Sequence, residues 1–250
     1  MAKYSLVVYV VVVTAILGCT GQSEEATEGL FVVCTTGMVG DLARNVAGDR
    51  ATVVALMGPG VDPHYYKATQ GDLGRLSRAD VIFFNGLFLE GKMEDIFEKM
   101  AASKTVVAVS RGISKDRLRR PEGAQGQFDP HIWFDVALWA ETIDQVVQTL
   151  SEADPNGASV YRKNGEVYRR ELAELHRWAQ AEIARIPESQ RVLVTAHDAF
   201  GYFGLAYGVD VRGLQGISTV AEYGVNDVSQ LVGFISDRRI KAIFVESSIS

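Results

Sequence analysis

The alternation of short apolar runs with helix-periodic segments is the feature that most limits what this chain can fold into. Runs rich in Val, Ile and Phe predict buried strands, and the segments between them space apolar residues three and four apart. Strands that alternate with helices form parallel β/α units with right-handed crossovers. The predicted strands are 30–36, 51–57, 79–85, 105–109, 191–195, one that starts at 209–211, and 240–245. The predicted helices are 38–47, 69–77, 92–100, 134–150, 200–207 and 227–238, and residues 213–216 are predicted as a loop.

One long helical pattern divides the chain into two parts. Between Asp154 and Pro187, apolar residues recur on one helix face while the opposite face is basic and acidic. About 30 residues at 1.5 Å each give a rod of roughly 45 Å, which is too long for a crossover helix of a small sheet. The predicted fold class is therefore α/β, with two β/α lobes of mostly parallel strands joined by one long rigid helix.

The same segments predict a domain organisation. The C-terminal lobe ends just after a predicted strand, so we expect this lobe to be incomplete in the chain. The expected parts are a signal peptide (1–18), a lipidated tether (19–29), an N-terminal β/α lobe (30–153), the linking helix (154–187) and the C-terminal β/α lobe (188–250).

The N-terminus carries the marks of export. Lys3 precedes an uncharged apolar run over 4–17 that is too short for a comfortable transmembrane helix. Ile16-Leu17-Gly18-Cys19 is similar to a bacterial lipobox, in which the cysteine is lipidated and becomes the first residue of the mature chain. We therefore expect lipidation of Cys19 and a lipid-anchored protein in the periplasm or on the outer face of the cytoplasmic membrane. An ordinary cleaved signal or a short N-terminal anchor are the alternatives.

Composition and motifs exclude several classes of function. A formal net charge of −6 argues against nucleic acid as a partner, and 47% apolar residues are enough for packed cores. No Gly-x-Ser-x-Gly, Walker-type loop or Gly-x-Gly-x-x-Gly lies at a suitable strand–helix turn. Nucleotide-binding and serine-hydrolase functions therefore have no support.

Three of the four histidines occupy the same kind of place. Asp62-Pro63-His64 and Asp129-Pro130-His131 repeat one tripeptide, and His197 follows another predicted strand. Ligands of open α/β sheets bind at the carboxyl ends of the strands, and imidazole is the commonest protein ligand for metals. These residues predict a metal site made by His64, His131 and His197. The alternative is a set of structural histidines that are hydrogen-bonded in turns, which is also the expectation for His176 in the long helix.

Each proline restricts the backbone beside its histidine, so a ligand in that position is partly ordered before it binds metal. Asp62 and Asp129 are candidates to hold the imidazoles or nearby amides from behind. The basic segment 110–127 is expected to be an exposed, solvated loop, with a docking surface as the alternative.

The chain resembles the TroA/ZnuA-type substrate-binding lipoproteins of zinc and manganese ABC importers over nearly all of residues 30–250. This resemblance implies two lobes with a metal held between them, His64, His131 and His197 as the first three ligands, and an ABC-transporter permease as the partner. It implies a fourth ligand, usually an Asp, that lies beyond residue 250, and Glu246 is a weak substitute. The motifs that carry the resemblance are Gly58–His64, Asn85–Leu87 with Leu89-Glu90, Phe128–Asp135, Val194–Tyr202 and Phe244–Ser248.

The predicted function is that of a monomeric, non-enzymatic binding protein that captures a divalent cation and passes it to the permease. Three imidazoles suit Zn²⁺ first, and Mn²⁺ is the second candidate for the transported ligand. Two alternatives stay open. A metal-dependent hydrolase would use the three-histidine zinc site to activate water, and a surface adhesin would use the protein's exposed position.

Overall fold

The computed structural model describes residues 29–121, 124, 126–220 and 224–246. The expected signal peptide, Cys19 and the tether up to residue 28 lie outside the described residues. The strands are β1 (Leu30–Cys34), β2 (Ala51–Ala55), β3 (Val81–Phe84), β4 (Thr105–Ala108), β5 (Val192–His197) and β6 (Asp210–Gln215). The helices are α1 (Gly37–Ala47), α2 (Gln70–Arg78), α3 (Glu94–Ala101), α4 (Val136–Trp139), α5 (Thr142–Ala153), α6 (Ala158–Ala184), α7 (Gly201–Tyr207) and α8 (Val225–Asp237).

The strands form two separate parallel sheets, as the alternation predicts. In the described residues, the first sheet has the order β2-β1-β3-β4 and the second pairs β5 with β6. We call the first sheet with its packed helices the N-terminal lobe, and β5, β6, α7 and α8 the C-terminal lobe. Because the strands within each sheet are parallel, their carboxyl ends meet at one edge, where ligands bind in such folds.

The N-terminal lobe buries apolar side chains on both faces of its sheet. On one face, Val32 and Phe83 pack against helix residues such as Leu42. On the other face, Ile82 packs with Leu76 from the α2 side. The segment that follows β4 belongs to this lobe, since its residues Ile113 and Ile132 lie in the first of these clusters.

Helix α6 is the predicted long helix, and its 27 residues span roughly 40 Å. Its first half is buried against α1 and α5, where Gly165 allows a close approach: a Cβ there would lie 2.7 Å from a methyl of Val147. The Tyr168 hydroxyl donates to Asp41 of α1 over 2.7 Å. At the other end, the guanidinium of Arg191 donates to the carbonyls of Ala184 and Ile186. These bonds satisfy helix carbonyls that otherwise lack donors. α6 therefore joins the two lobes as a stiff element.

Among the described residues, no helix combines the length and apolar character needed to cross a membrane.

The predicted continuous helix 134–150 is wrong. The structure has a short 3₁₀ helix at Ile132–Phe134, then α4, then α5. The Asp135 carboxylate accepts from the backbone N–H groups of Ala137 and Leu138 and so starts α4 as an N-cap. The Thr142 hydroxyl donates to the carbonyl of Trp139 at the next break. Such side-chain bonds to the backbone compete with continuation of a helix.

Two predictions in the C-terminal lobe are also corrected. Residues 213–215 are the end of β6 and not a loop, because they pair with β5 as far as His197. Gly213 suits this place, since a Cβ would lie 2.5 Å from the backbone nitrogen of Asp198. The predicted strand 240–245 is reduced to a single parallel bridge between Thr195 and Phe244.

Candidate metal centre

The fold brings His64, His131 and His197 together between the two lobes. His64 lies in the loop after β2, His131 precedes the 3₁₀ helix, and His197 is the last residue of β5. Their exposed fractions are 5%, 2% and 4%. The Nε2 atom of His131 is 3.3 Å from the Nε2 atoms of both His64 and His197. The three histidines cluster as expected, but the expectation that each lies at a strand exit is wrong for two of them: only His197 ends a strand, whereas His64 lies in the loop after β2 and His131 follows the long irregular segment after β4. The role of these residues as metal ligands stays a prediction.

The repeated Asp-Pro-His tripeptide has one local geometry in both places. Asp62 Oδ1 accepts from the backbone N–H of His64 over 2.9 Å, and Asp129 Oδ1 accepts from that of His131 over 3.0 Å. Aspartate commonly closes a turn by accepting from the amide two residues further on. The aspartate and the proline together hold each histidine in place, which is the physical reason for the repeat.

Carboxylates behind two of the rings fix which nitrogen is free. Asp129 Oδ1 lies 2.8 Å from Nδ1 of His131, and Glu246 Oε1 lies 2.7 Å from Nδ1 of His197. A carboxylate accepts, so Nδ1 carries the proton in each neutral ring and Nε2 presents a lone pair. The lone pairs of His131 and His197 point at each other over 3.3 Å, which is unfavourable unless a cation lies between them.

The spacing of the nitrogens suits a small transition-metal ion. Tetrahedral Zn²⁺ with bonds of about 2.0–2.1 Å separates its nitrogen ligands by roughly 3.3 Å. Both measured Nε2–Nε2 distances are 3.3 Å. The adjoining cavity of about 150 Å³ is lined in part by Trp133 and Phe134, and the Trp133 ring lies 5.2 Å from that of His131. The apolar rings on one side of this small cavity limit the access of water that would compete for the ion.

Two other sequence candidates lie outside the ligand cluster. Glu246 contacts the Nδ1 side of His197 with Oε1, where it orients that ring, and it is not one of the three converging ligand groups. His176 lies on α6 with its Nδ1 atom 3.2 Å from the Tyr207 hydroxyl, as expected for a structural residue.

Sequence reasoning missed two residues near the site. The segment 110–121 is mostly exposed as predicted, but Arg119 turns inward and contacts Asp129 over 2.7 Å and Asp198 over 2.9 Å. The Thr219 hydroxyl donates to Asp62 over 2.7 Å. No local spacing marks these contacts. The one sequence feature that could have indicated these contacts is the aspartate of each Asp-Pro-His tripeptide, because a buried carboxylate requires a partner.

A strained loop forms the outer wall of the site beside His64. Gly86, Leu87 and Phe88 all have positive φ, at 83°, 55° and 66°, a region unfavourable for the two non-glycine residues. Glu90 holds the loop by accepting from the Thr35 hydroxyl over 2.6 Å and from the Asn85 amide over 2.8 Å. Complete burial raises the pKa of Glu90 to about 7. The motif Asn85–Glu90 is therefore a support for the site.

The pKa of His64 gives a testable pH dependence. Burial first, and then positive charge on His131 and His197, lower its pKa from 6.5 to about 3. The unfolded chain binds this proton near pH 6.5 while the folded chain does not, so stability is present above pH 6.5 and is lost as the pH falls toward 3. We expect the metal-free protein to lose stability over this window more steeply than His64→Gln, measured by urea unfolding at several pH values. Identical pH profiles for the two proteins would contradict the assignment.

Fold and cluster together define a class: a two-lobed α/β protein with a candidate cation cleft between its lobes. The profile of the ZnuA family, described as "Zinc-uptake complex component A periplasmic", matches residues 32–250, and the chain belongs to this family.

Similar relatives bear the names of metal-binding proteins. The chain is 48% identical to the manganese-binding lipoprotein MntA of Bacillus subtilis over 238 residues, which cover 94% of this chain and 78% of the relative. It is 44% identical to the zinc-binding protein TroA of Treponema pallidum over 230 residues, with 92% and 74% covered. The solved structure of the periplasmic zinc-binding protein TroA from Treponema pallidum superposes on this chain with a TM-score of 0.85 at 43% identity. The superposition covers 89% of this chain and 79% of the TroA chain.

Proposed function

We propose that this protein captures a divalent transition-metal ion between its lobes and delivers it to the permease of an ABC importer. The observation that carries the proposal is the convergence of three buried Nε2 atoms from His64, His131 and His197 at the spacing of a metal-ligand set. Relatives named as manganese-binding and zinc-binding proteins, at 48% and 44% identity, support the same function.

The donor set favours zinc over manganese as the captured ion. Imidazole ligands suit Zn²⁺, whereas Mn²⁺ favours carboxylate, carbonyl and water ligands, and the general affinity order also places Zn²⁺ well above Mn²⁺. The carboxylates of Asp129 and Glu246 beside the cluster are engaged with histidine Nδ1 atoms, and that of Asp62 accepts from the His64 amide and the Thr219 hydroxyl. Zinc is therefore the first candidate and manganese the second.

The remaining assignments follow from the same proposal. We place the protein outside the cytoplasm, as a monomer anchored by lipid on Cys19, with a lobe at 30–153, the linking helix at 154–187 and a lobe at 188–250. The function is binding and not catalysis, because a carrier requires a closed, dry site while a zinc hydrolase requires an open position for water. The burial of all three histidines supports a carrier.

The test is a metal analysis of the chain from residue 20 onward, purified without chelator. We expect about one zinc ion per chain and displacement of manganese by zinc in a competition titration. Hydrolysis of simple esters in the presence of zinc should not exceed the rate of His64→Ala. A folded protein that takes up neither ion would refute the proposal, and zinc-dependent turnover lost in His64→Ala would favour the hydrolase.

A further inference from the structure

The aspartates of the two Asp-Pro-His tripeptides each use two oxygens in two directions. In Asp62 and in Asp129, the Oδ1 atom accepts from the backbone N–H of the tripeptide's own histidine. The Oδ2 atom of each carboxylate is directed to a different partner, and both partners lead to the C-terminal lobe. Each of the two carboxylates therefore contacts both a candidate metal ligand and a group that leads to the other lobe.

The first link is a direct hydrogen bond across the cleft. Thr219, in the loop after β6, donates its hydroxyl to Asp62 Oδ2 over 2.7 Å. The Tyr65 hydroxyl, from the N-terminal lobe, donates to the backbone carbonyl of Thr219 over 3.1 Å. Thr219 is 5% exposed, so its bond to Asp62 is largely shielded from water, whereas Tyr65 is 53% exposed and its bond is open to solvent on one side.

The second link runs through a guanidinium. Arg119 donates through Nη1 to Asp129 Oδ2 over 2.7 Å and through Nη2 to Asp198 Oδ2 over 2.9 Å, and Asp198 follows His197 directly in the chain. Asp129 is fully buried. Gly201 leaves the space that the Arg119 guanidinium occupies, because any side chain at this position would overlap it. The planar fork of arginine is suited to hold two carboxylates at once.

We infer that Arg119 and Thr219 are positioning residues of two interlobe latches, Asp129–Arg119–Asp198 and Asp62–Thr219, which hold the lobes closed over the cation and set the rate of its release. This inference rests on the proposed function. It assigns a role to Arg119 in the basic segment 110–127, which the sequence alone predicts to be a solvated loop.

The geometry ties the latches to release and not to capture. When the lobes separate, the Thr219 hydroxyl must leave Asp62 Oδ2 and the Arg119 guanidinium must leave Asp198, while Arg119 stays with Asp129 in the N-terminal lobe. The bound ion leaves after this step, so weakening a latch lowers the barrier to dissociation. Capture starts from separated lobes in which the latches are not yet formed, so the association rate is expected to change little.

The experiment compares the zinc dissociation rates of full-chain variants after mixing with excess chelator and a fluorescent zinc indicator. We expect Arg119→Gln, Asp198→Asn and Thr219→Val each to release zinc about tenfold faster or more, the equivalent of about 1.4 kcal/mol. Arg119→Lys should fall between Arg119→Gln and the wild type, because one ammonium replaces a two-sided fork.

Arg117→Gln is the matched control. Arg117 lies two residues before Arg119 and pairs over 2.7 Å with Glu141, which belongs to the N-terminal lobe, so this variant removes a positive charge from the same segment without touching the cleft. We expect the wild-type dissociation rate. Thermal unfolding of each metal-free variant separates latching from general stabilisation, and Thr219→Val tests the idea without disturbing an ion pair.

The outcomes are distinct. Wild-type release rates in Arg119→Gln, Asp198→Asn and Thr219→Val would overturn the latches, as would a lowered melting temperature with unchanged release. Equal acceleration in Arg117→Gln would also overturn them, since charge and not position would then be responsible. A wild-type protein that holds no zinc would refute the proposed function and the latches together, whereas zinc binding with unaltered variants refutes the latches alone.

Discussion

Replacement of His131 by alanine is expected to lower the affinity for zinc about a thousandfold. This residue is central to the cluster, because its Nε2 atom makes both of the 3.3 Å approaches, to His64 and to His197. The variant leaves two imidazoles, which cannot enclose an ion. The measurement is a competition titration with a zinc chelator of known affinity.

His176→Ala is the matched control for that loss. His176 is the one histidine of the chain outside the predicted site, and it contacts Tyr207 away from the cluster. Its removal should therefore leave zinc affinity unchanged. Wild-type affinity in His131→Ala would mean that the ion, if bound, is held elsewhere, and the three-imidazole site would have to be abandoned.

Replacement of Asp129 by alanine is expected to have two large effects. Zinc affinity should fall about 10- to 100-fold, because His131 loses the carboxylate that fixes its tautomer and orientation. The free energy of unfolding should fall by about 2 kcal/mol, because Arg119 loses its buried partner and keeps only Asp198. Zinc titration measures the first effect, and urea unfolding of the metal-free protein measures the second.

Asp144→Ala tests whether these effects depend on position. Asp144 pairs with Arg169 at an exposed place on α5, where ion pairs contribute little. We expect neither zinc affinity nor stability to change. An Asp129→Ala protein that kept wild-type affinity would show that the carboxylate behind His131 does not orient it for metal binding.

The candidate ligands could be predicted from the sequence because their placement depends on local features. The Asp-Pro-His tripeptide fixes locally how its histidine is held, although neither copy ends a strand. His64 and His131, 67 residues apart, meet because the loop after β2 and the segment after β4 both line the cleft.

The latch contacts could not be predicted in this way. Thr219 and Asp62 are 157 residues apart, and Arg119 and Asp198 are 79 apart, in different lobes. Their meeting depends on how one lobe lies against the other, which no local periodicity records. The wrong loop at 213–216 has a related cause, since glycine signals a turn locally whereas pairing with β5 keeps Gly213 extended.

The attachment of helix α6 at both of its ends limits how the two lobes can separate. One end of this helix is packed into the N-terminal lobe through Gly165 and Tyr168, and Arg191 ties its other end to the start of β5. The C-terminal lobe is therefore held on a stiff arm with short connections, and we expect it to open by a slight tilt and not by a wide swing. We expect such an opening to admit a single ion and to exclude the same ion bound to a bulky chelator.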